Sequence, residues 1–188
     1  MTNGKFCSDP IQLNRWKPGW NGTWYRGINK TDRYKEIAIH NPGPSDDDEY
    51  LIFWYDGNSI IEMAHLSRRP VFLGNGIVYV DNWEGFWKKR DKYVLNDANR
   101  ELNLVPQYAY FVGVRVKVEN SFTIYKNKDL KDIVAYLGKD SEIELLICDT
   151  ENKNWPDYLY LIKSGSGLTG WASFTVIGKN STGFPYAD

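Results

Sequence analysis

The stretch from residue 122 to residue 173 constrains the fold more than any other part of the chain, because short alternating apolar segments follow one another there. Each segment has the period-two pattern of a half-buried strand, and a Ser-Gly-Ser-Gly turn at residues 164–167 precedes the last one. The segments are residues 122–125, 133–137, 142–148, 158–162 and 170–172. This order predicts one small, antiparallel β-barrel at the C-terminal end of the chain.

The same stretch closes with Gly-Leu-Thr-Gly-Trp-Ala-Ser at residues 167–173. Together with the strand order, this motif resembles bacterial Src-homology-3-like (SH3-like) domains, in which a Val-Arg strand, a long polar loop and three further strands lead to a closing Gly-x-x-Gly-Trp-Val. The chain differs from the family's usual pattern at two places. Tyr125 stands where the family has its Arg, and Lys-Asn-Lys-Asp-Leu at 126–130 replaces the family's Gly-Pro loop. Ligand contacts that depend on those family residues are therefore not implied for this chain.

The first hundred residues also predict strands and turns, with no apolar helical period over three turns. The clearest hairpin joins residues 50–55 to residues 59–65 through the turn Asp56-Gly-Asn. We expect two all-β domains. Residues 1–107, with an extended lead-in at 1–20, form an antiparallel meander or partial barrel, and residues 108–188 form the SH3-like barrel.

Asn-Gly-Thr-Trp-Tyr at residues 21–25 resembles the Gly-x-Trp motif that opens the first strand of lipocalin-like barrels. The resemblance implies that Trp24 closes one end of a cup for a small apolar ligand. A smaller meander sheet with Trp24 as a plug of its core is the favoured alternative, because the first domain is too short for a complete lipocalin barrel.

Charge and hydropathy restrict the partners. The chain has 23 basic and 24 acidic residues, so its formal net charge of −1 provides no field that would attract nucleic acid or an anionic membrane surface. No apolar run is long enough to span a membrane, and the first residues lack the apolar core of a signal peptide. Location in the cell envelope or outside the cell is implied by the SH3-like resemblance alone.

Candidate catalytic and metal-binding residues are few. His40 and His65 have no nucleophile motif near them, and the cysteines, Cys7 and Cys148, do not cluster with histidine as a zinc site requires. The acidic run at residues 46–49 lacks the spacing of a calcium loop. We therefore expect no enzyme activity, no cofactor and no metal. Cys7 and Cys148 are expected to be free thiols, with Cys148 buried, and a disulfide between them is the alternative.

Aromatic residues are the best candidates for a binding site. Four of them fall on strand ends or loops that flank a shallow groove in SH3-like domains, and planar rings stack on sugars or on proline-rich peptides. The four are Tyr125, Trp155, Tyr158 and Trp171. The alternative is structural, with Trp171 packed against the closing turn and Trp155 capping a hairpin.

The sequence thus predicts a non-catalytic binding or adaptor protein of the bacterial cell envelope whose partner is cell-wall glycopeptide or another protein. Three other functions stay open. A lipocalin-like carrier would need a cavity in the first domain. An immunity or inhibitor protein would offer the acidic run at residues 46–49 to an enzyme, and a hydrolase would need His40 or His65 beside an acid or a nucleophile.

Overall fold

The structure is a computed structural model that describes residues 21–25, 27–31, 34–43, 48–151 and 156–186. Several sequence predictions lie outside these residues. They are the extended lead-in at 1–20, the state of Cys7, the first half of the acidic run (Asp46 and Asp47), and the position of Trp155. The side chain of Trp24, predicted to plug a core, also belongs to this group.

The described chain divides into two compact units. The first comprises the residues up to Asn82 together with Arg90–Pro106, and the second comprises Trp83–Lys89 together with Gln107 onward. The sequence assigned everything up to residue 107 to the first domain. The structure instead places Trp83–Lys89 in the second unit, because Phe86 and Trp87 lie in the core of that unit.

The first unit contains two antiparallel four-stranded meanders. The strands of one are β1 (Asn21–Tyr25), β2 (Lys35–Asn41), β3 (Glu49–Tyr55) and β4 (Ile60–Leu66), and those of the other are β5 (Pro70–Phe72), β6 (Ile77–Trp83), β7 (Lys88–Asn96) and β8 (Glu101–Val105). Alternate residues of β3 are buried, as its period-two sequence predicts. Ile52 on β3 and Val78 on β6 are both fully buried in one cluster, so the two meanders share a core.

The β3–β4 hairpin confirms the predicted turn. The side chain of Asp56 accepts hydrogen bonds from the backbone N–H groups of Asn58 and Ser59, at 2.8 and 2.7 Å. A short polar side chain that bonds the backbone two and three residues ahead favours a tight reversal. The turn chemistry therefore fixes where β3 ends and β4 begins.

The second unit contains one sheet of seven strands, in the order β11-β10-β14-β13-β12-β9-β15. The strands are β9 (Tyr110–Val118), β10 (Phe122–Tyr125), β11 (Ile133–Leu137), β12 (Glu142–Asp149), β13 (Leu159–Ser164), β14 (Thr169–Ser173) and β15 (Ser181–Thr182), and one short helix, α1 (Phe174–Asn180), joins the last two. One face of this sheet, with Leu145, Tyr160 and Ile162, is completely buried. The other face carries partly exposed residues, and the candidate site lies there.

The predicted all-β class and the antiparallel meander are confirmed. The small barrel predicted for residues 108–188 is present as an open sheet, because no sheet among the described residues closes into a barrel. The edge strands of the seven-stranded sheet are β11 and the two-residue β15, and they pair with β10 and β9 but not with each other. In the part of the chain that the structure describes, no helix is long and apolar enough to cross a membrane.

Candidate functional site

Tyr125 and Trp171 lie directly opposite each other on the neighbouring strands β10 and β14. Residues in this relation project from the same face of a sheet and are close enough to interact. Gly170 precedes Trp171 and faces the core, where a Cβ atom would lie 2.9 Å from Cβ of Ile124 and 3.0 Å from the carbonyl oxygen of Tyr125. The absence of a side chain at Gly170 thus permits the close approach of β14 to β10, the strands on which Trp171 and Tyr125 lie opposite each other.

The pair belongs to a row of apolar side chains that crosses the sheet. Trp171 is opposite Leu161 on β13, Leu161 is opposite Ile147 on β12, and Ile147 is opposite Phe111 on β9. At the other end, Tyr125 is opposite Ile133 on β11. We call this row the apolar strip; its members in spatial order are Ile133, Tyr125, Trp171, Leu161, Ile147 and Phe111.

The ends of the apolar strip are its most exposed parts. Phe111 is 75% exposed and Ile133 is 52% exposed, whereas the four central residues are partly buried. Gly113 has a φ of +68°, and a Cβ there would lie 2.7 Å from the Phe111 ring. A glycine is needed at this position because other residues rarely adopt a positive φ and would collide with the ring. The backbone therefore holds the Phe111 ring against β9, at one end of the strip.

A lysine and a buried carboxylate border the strip beside Trp171. Lys128, from the β10–β11 loop, places its Nζ 5.2 Å from the centre of the Trp171 ring and 2.6 Å from Oδ2 of Asp149. The Asp149 side chain is only 7% exposed, and its other oxygen accepts the backbone N–H of Glu151 at 2.9 Å. A cation close to the face of an indole ring is attracted by the ring electrons. Lys128 is therefore held by two interactions at this margin.

A row of charged side chains lies on the other side of the strip. Lys163 is two residues from Leu161 on β13, whereas Gly113 lies between Phe111 and Arg115 on β9. Arg115 on β9 is opposite Glu144 on β12, and Glu144 is opposite Lys163 on β13. The guanidinium of Arg115 is 3.8 Å from the Glu144 carboxylate. Both signs of charge alternate in this row, so it offers hydrogen-bond donors and acceptors without a strong net field.

The structure brings two of the four predicted site residues together. Tyr125 and Trp171 share the apolar strip, but Tyr158 is partly buried and packs against the core of the second unit. Trp155 lies outside the described residues. The predicted site did not include the strip residues Phe111, Ile133, Ile147 and Leu161. Alternation along each strand is the signal that puts them on the outer face, although it does not show that they align across strands.

Cys148 is a free, buried thiol, as predicted. Its side chain hydrogen-bonds the hydroxyl of Tyr160, which in turn accepts the indole N–H of Trp87 at 3.2 Å. Burial is the main cause that raises the pKa of Cys148, to about 12, and burial also raises the pKa of Tyr160 well above its usual value. Since the thiolate is the reactive form of cysteine, this thiol is poorly suited to nucleophilic chemistry.

Each described histidine lies beside a carboxylate. Nε2 of His40 is 3.1 Å from Oδ2 of Asp48, and Nε2 of His65 is 3.6 Å from Oε1 of Glu49. The acid that the hydrolase alternative requires is therefore present, but within the described ranges no hydrogen bond links either histidine to a hydroxyl or a thiol. Nor do three metal-ligating side chains cluster among the residues described.

Comparisons of the chain with protein-family models, with curated proteins and with solved structures found no match.

Proposed function

We propose that this protein is a non-catalytic binding module of the bacterial cell envelope and that its second unit contacts cell-wall glycopeptide through the apolar strip. The observation that carries the proposal is the register of Tyr125 opposite Trp171 at the centre of a continuous apolar row. Rings that share one exposed sheet face form a platform for stacking, and stacking contributes to binding beyond the area that it buries.

The strand positions support an SH3-like origin of this unit. β10 lies where the resemblance requires the Val-Arg strand, and β14 lies where it requires the closing Gly-Trp motif. β11, β12 and β13 occupy the intervening positions in the same order. The correspondence supports the family assignment that leads to the cell envelope.

The chemistry of the candidate site favours binding over catalysis. Apart from the phenol of Tyr125, the apolar strip contains no acid, base or nucleophile, and the nearby charged groups form the pairs Arg115–Glu144 and Lys128–Asp149. Paired side chains of this kind position a ligand through hydrogen bonds, whereas an enzyme needs a titrating group at the reacting atom. The strip therefore selects a ligand by shape and stacking.

Sedimentation with isolated bacterial cell walls tests the proposal. We expect Tyr125→Ala and Trp171→Ala to lower the bound fraction several-fold, because each change removes a ring from the centre of the strip. Tyr108→Ala is the matched control, since Tyr108 is 79% exposed but precedes β9 and lies outside the strip. Thermal melting of each variant separates loss of binding from loss of fold.

Two results contradict the proposal. One is a parent protein that stays in solution when cell walls are sedimented. The other is a folded Tyr125→Ala or Trp171→Ala variant that sediments as well as the parent. If the parent instead captures a protein that is bound to the walls, through the same two rings, the partner is a protein and not the glycopeptide.

A further inference from the structure

The seven-stranded sheet of the second unit has two edges, and they differ in what they offer to another chain. One edge is β15, which has two residues and pairs with β9. The other is β11, whose sequence Ile-Val-Ala-Tyr-Leu pairs only with β10. Some N–H and C=O groups of an edge strand point away from its sheet. Within the described residues, the backbone of β11 bonds to β10 alone, so this outward row of donors and acceptors is unused.

The composition of β11 leaves its edge open to pairing. Edge strands are commonly protected by charged residues, by proline or by being very short. Three other edge strands in the described part of the chain have such protection. β4 carries Glu62 and His65, β5 has three residues and begins with Pro70, and β8 carries Glu101. β11 has neither a charged residue nor a proline.

The exposed side chains of β11 are large and apolar. Tyr136 is 74% exposed, and Ile133, the end of the apolar strip, is 52% exposed. The register against β10 shifts at Val134, so the strand is bulged near its start and regular after it. Past its end, nothing lies within 4 Å of the place that a Cβ atom would take at Gly138. An added strand would therefore find space at the end of this edge and apolar side chains to cover.

The length of β11 decides which kind of chain fits it. Its five residues span roughly 17 Å. A stable interface between two folded proteins takes about 20–30 residues from each. A second copy of this protein that met β11 through this edge alone would bury too little surface for a stable dimer. An extended segment needs no larger surface, because its backbone bonds along the edge and its side chains pack on Tyr136 and Ile133.

The charges beside β11 give the segment a direction. Lys139, just past the strand, is exposed and has no ion pair with a described residue, whereas Asp140 pairs with Lys117 at 2.8 Å. At the start of the strand, Lys126 and Asp132 are joined by a backbone hydrogen bond of 2.7 Å, so their charges offset each other. Strand pairs in this sheet are antiparallel, and an added strand that continues the pattern begins beside Lys139. A carboxylate is favoured at that end.

We infer that β11 binds an extended segment of a partner protein, which adds to the sheet as an antiparallel strand and carries a carboxylate in its first residues. The backbone of the segment bonds to the open edge, its apolar side chains pack on Tyr136 and Ile133, and its carboxylate pairs with Lys139. This interaction is additional to the proposed contact with cell-wall glycopeptide and does not depend on it, because the hydrogen bonds form at the edge of the sheet and not on its face.

Fluorescence anisotropy with two labelled peptides tests the inference on the full-length protein. One peptide is acetyl-Asp-Glu-Val-Thr-Val-Thr-Val-Ser-amide, and the other has Lys-Lys in place of Asp-Glu. We expect the acidic peptide to bind about threefold more tightly than the basic one, and Lys139→Glu should reverse this preference. Lys163→Glu is the matched control, because Lys163 is exposed on β13, three strands or roughly 14 Å from β11. It should leave the preference unchanged.

Methylation of the peptide backbone tests the hydrogen bonds directly. Methyl groups on the alternate nitrogen atoms that face β11 should lower the affinity by about tenfold, whereas methyl groups on the other set should change it little, because only one side of an added strand bonds to the edge. Hydrogen exchange measured by mass spectrometry should slow within residues 133–137 when the acidic peptide is bound. Tyr136→Lys introduces the charge typical of a protected edge and should weaken binding without unfolding the protein, since Tyr136 is exposed.

Four results overturn the inference. Neither peptide binds, the acidic and basic peptides bind equally well, both methylated sets bind as tightly as the unmodified peptide, or the bound peptide slows exchange in other strands and not in β11. Light scattering of the protein alone tests the remaining occupant. A dimer that Tyr136→Lys converts to a monomer would show that a second copy, and not a partner's segment, occupies this edge.

Discussion

Trp87 donates its indole N–H to the hydroxyl oxygen of Tyr160 at 3.2 Å, although the two residues are 73 positions apart in the chain. Both side chains are almost completely buried in the core of the second unit. Phe86, the neighbour of Trp87, is fully buried there as well and stacks on Phe174 with ring centroids 5.1 Å apart. The segment Trp83–Lys89 is therefore an integral part of the second unit.

We predict that the fragment Gln107–Asp188 does not fold on its own. It lacks the rings of Phe86 and Trp87, and loss of one buried aromatic ring typically costs about 3–5 kcal/mol. Two such losses approach the whole stability of a small domain, which is about 5–15 kcal/mol. Circular dichroism and thermal melting of the fragment should show no cooperative transition.

A fragment that runs from Trp83 to the C-terminus is the control for this prediction. It restores both rings and should regain a cooperative melting transition, although residues 90–106 contribute nothing to the core of the second unit. A fragment Gln107–Asp188 that melts cooperatively at the temperature of the intact protein would contradict the assignment of Trp83–Lys89 to that core.

The buried thiol of Cys148 should resist alkylation in the folded protein. In a Cys7→Ser background, iodoacetamide at pH 8 should modify Cys148 only after a denaturant is added, because the raised pKa and the burial both suppress attack. Mass spectrometry of the labelled protein measures the outcome. Rapid modification of the folded protein would show that the thiol is accessible.

The same thiol makes stability depend on pH in the alkaline range. The pKa of Cys148 rises from 9.0 in the unfolded chain to about 12 in the folded protein, so this group stabilises the fold fully below pH 9. Between pH 9 and pH 12 only the unfolded chain releases the proton, and the stabilisation is lost as the pH rises. Urea denaturation of the parent and of Cys148→Ala at pH 8 and pH 11 should therefore show a larger alkaline loss in the parent.

The sequence predicted five of the seven strands of the second unit, β10 to β14, because local alternation and turns determine them. The predicted segments at 122–125 and 133–137 coincide with β10 and β11, and the Ser-Gly-Ser-Gly turn separates β13 from β14. Local patterns did not predict α1, the three-residue strand β5 or the two-residue strand β15. Such short elements have too few residues for a period to emerge.

The apolar strip could not be predicted from the sequence because it depends on how strands align. The register of β12 shifts between Leu145 and Ile147, on both its β9 side and its β13 side. This irregularity places Ile147 opposite both Phe111 and Leu161. An extra residue of this kind changes which side chains face each other, and alternation within one strand does not reveal it.

We predict that Gly170→Ala destabilises the second unit. The new Cβ would lie 2.9 Å from Ile124 and 3.0 Å from a backbone oxygen, so β14 would have to move away from β10. Overpacking of this kind typically costs about 1–3 kcal/mol, and the change should also weaken cell-wall binding by separating Tyr125 from Trp171. Gly138→Ala is the control, because nothing lies within 4 Å of a Cβ at Gly138. Urea denaturation should separate the two variants, and equal midpoints would contradict the close approach.

In the first unit, Glu36 is only 1% exposed, and its Oε2 accepts the backbone N–H groups of Gly27 and Ile28, each at 3.0 Å. Glu36→Ala would leave both buried donors without this acceptor, at a cost of about 1–3 kcal/mol for each. Glu36→Gln keeps an acceptor oxygen and should lose only the charge assistance, about 1 kcal/mol. The exposed Glu62 on β4 provides the control, and Glu62→Ala should shift the urea midpoint little. The urea midpoint should be highest for Glu62→Ala, lower for Glu36→Gln and lowest for Glu36→Ala. A Glu36→Ala midpoint as high as that of Glu62→Ala would show that the buried carboxylate does not stabilise the turn at residues 27–28.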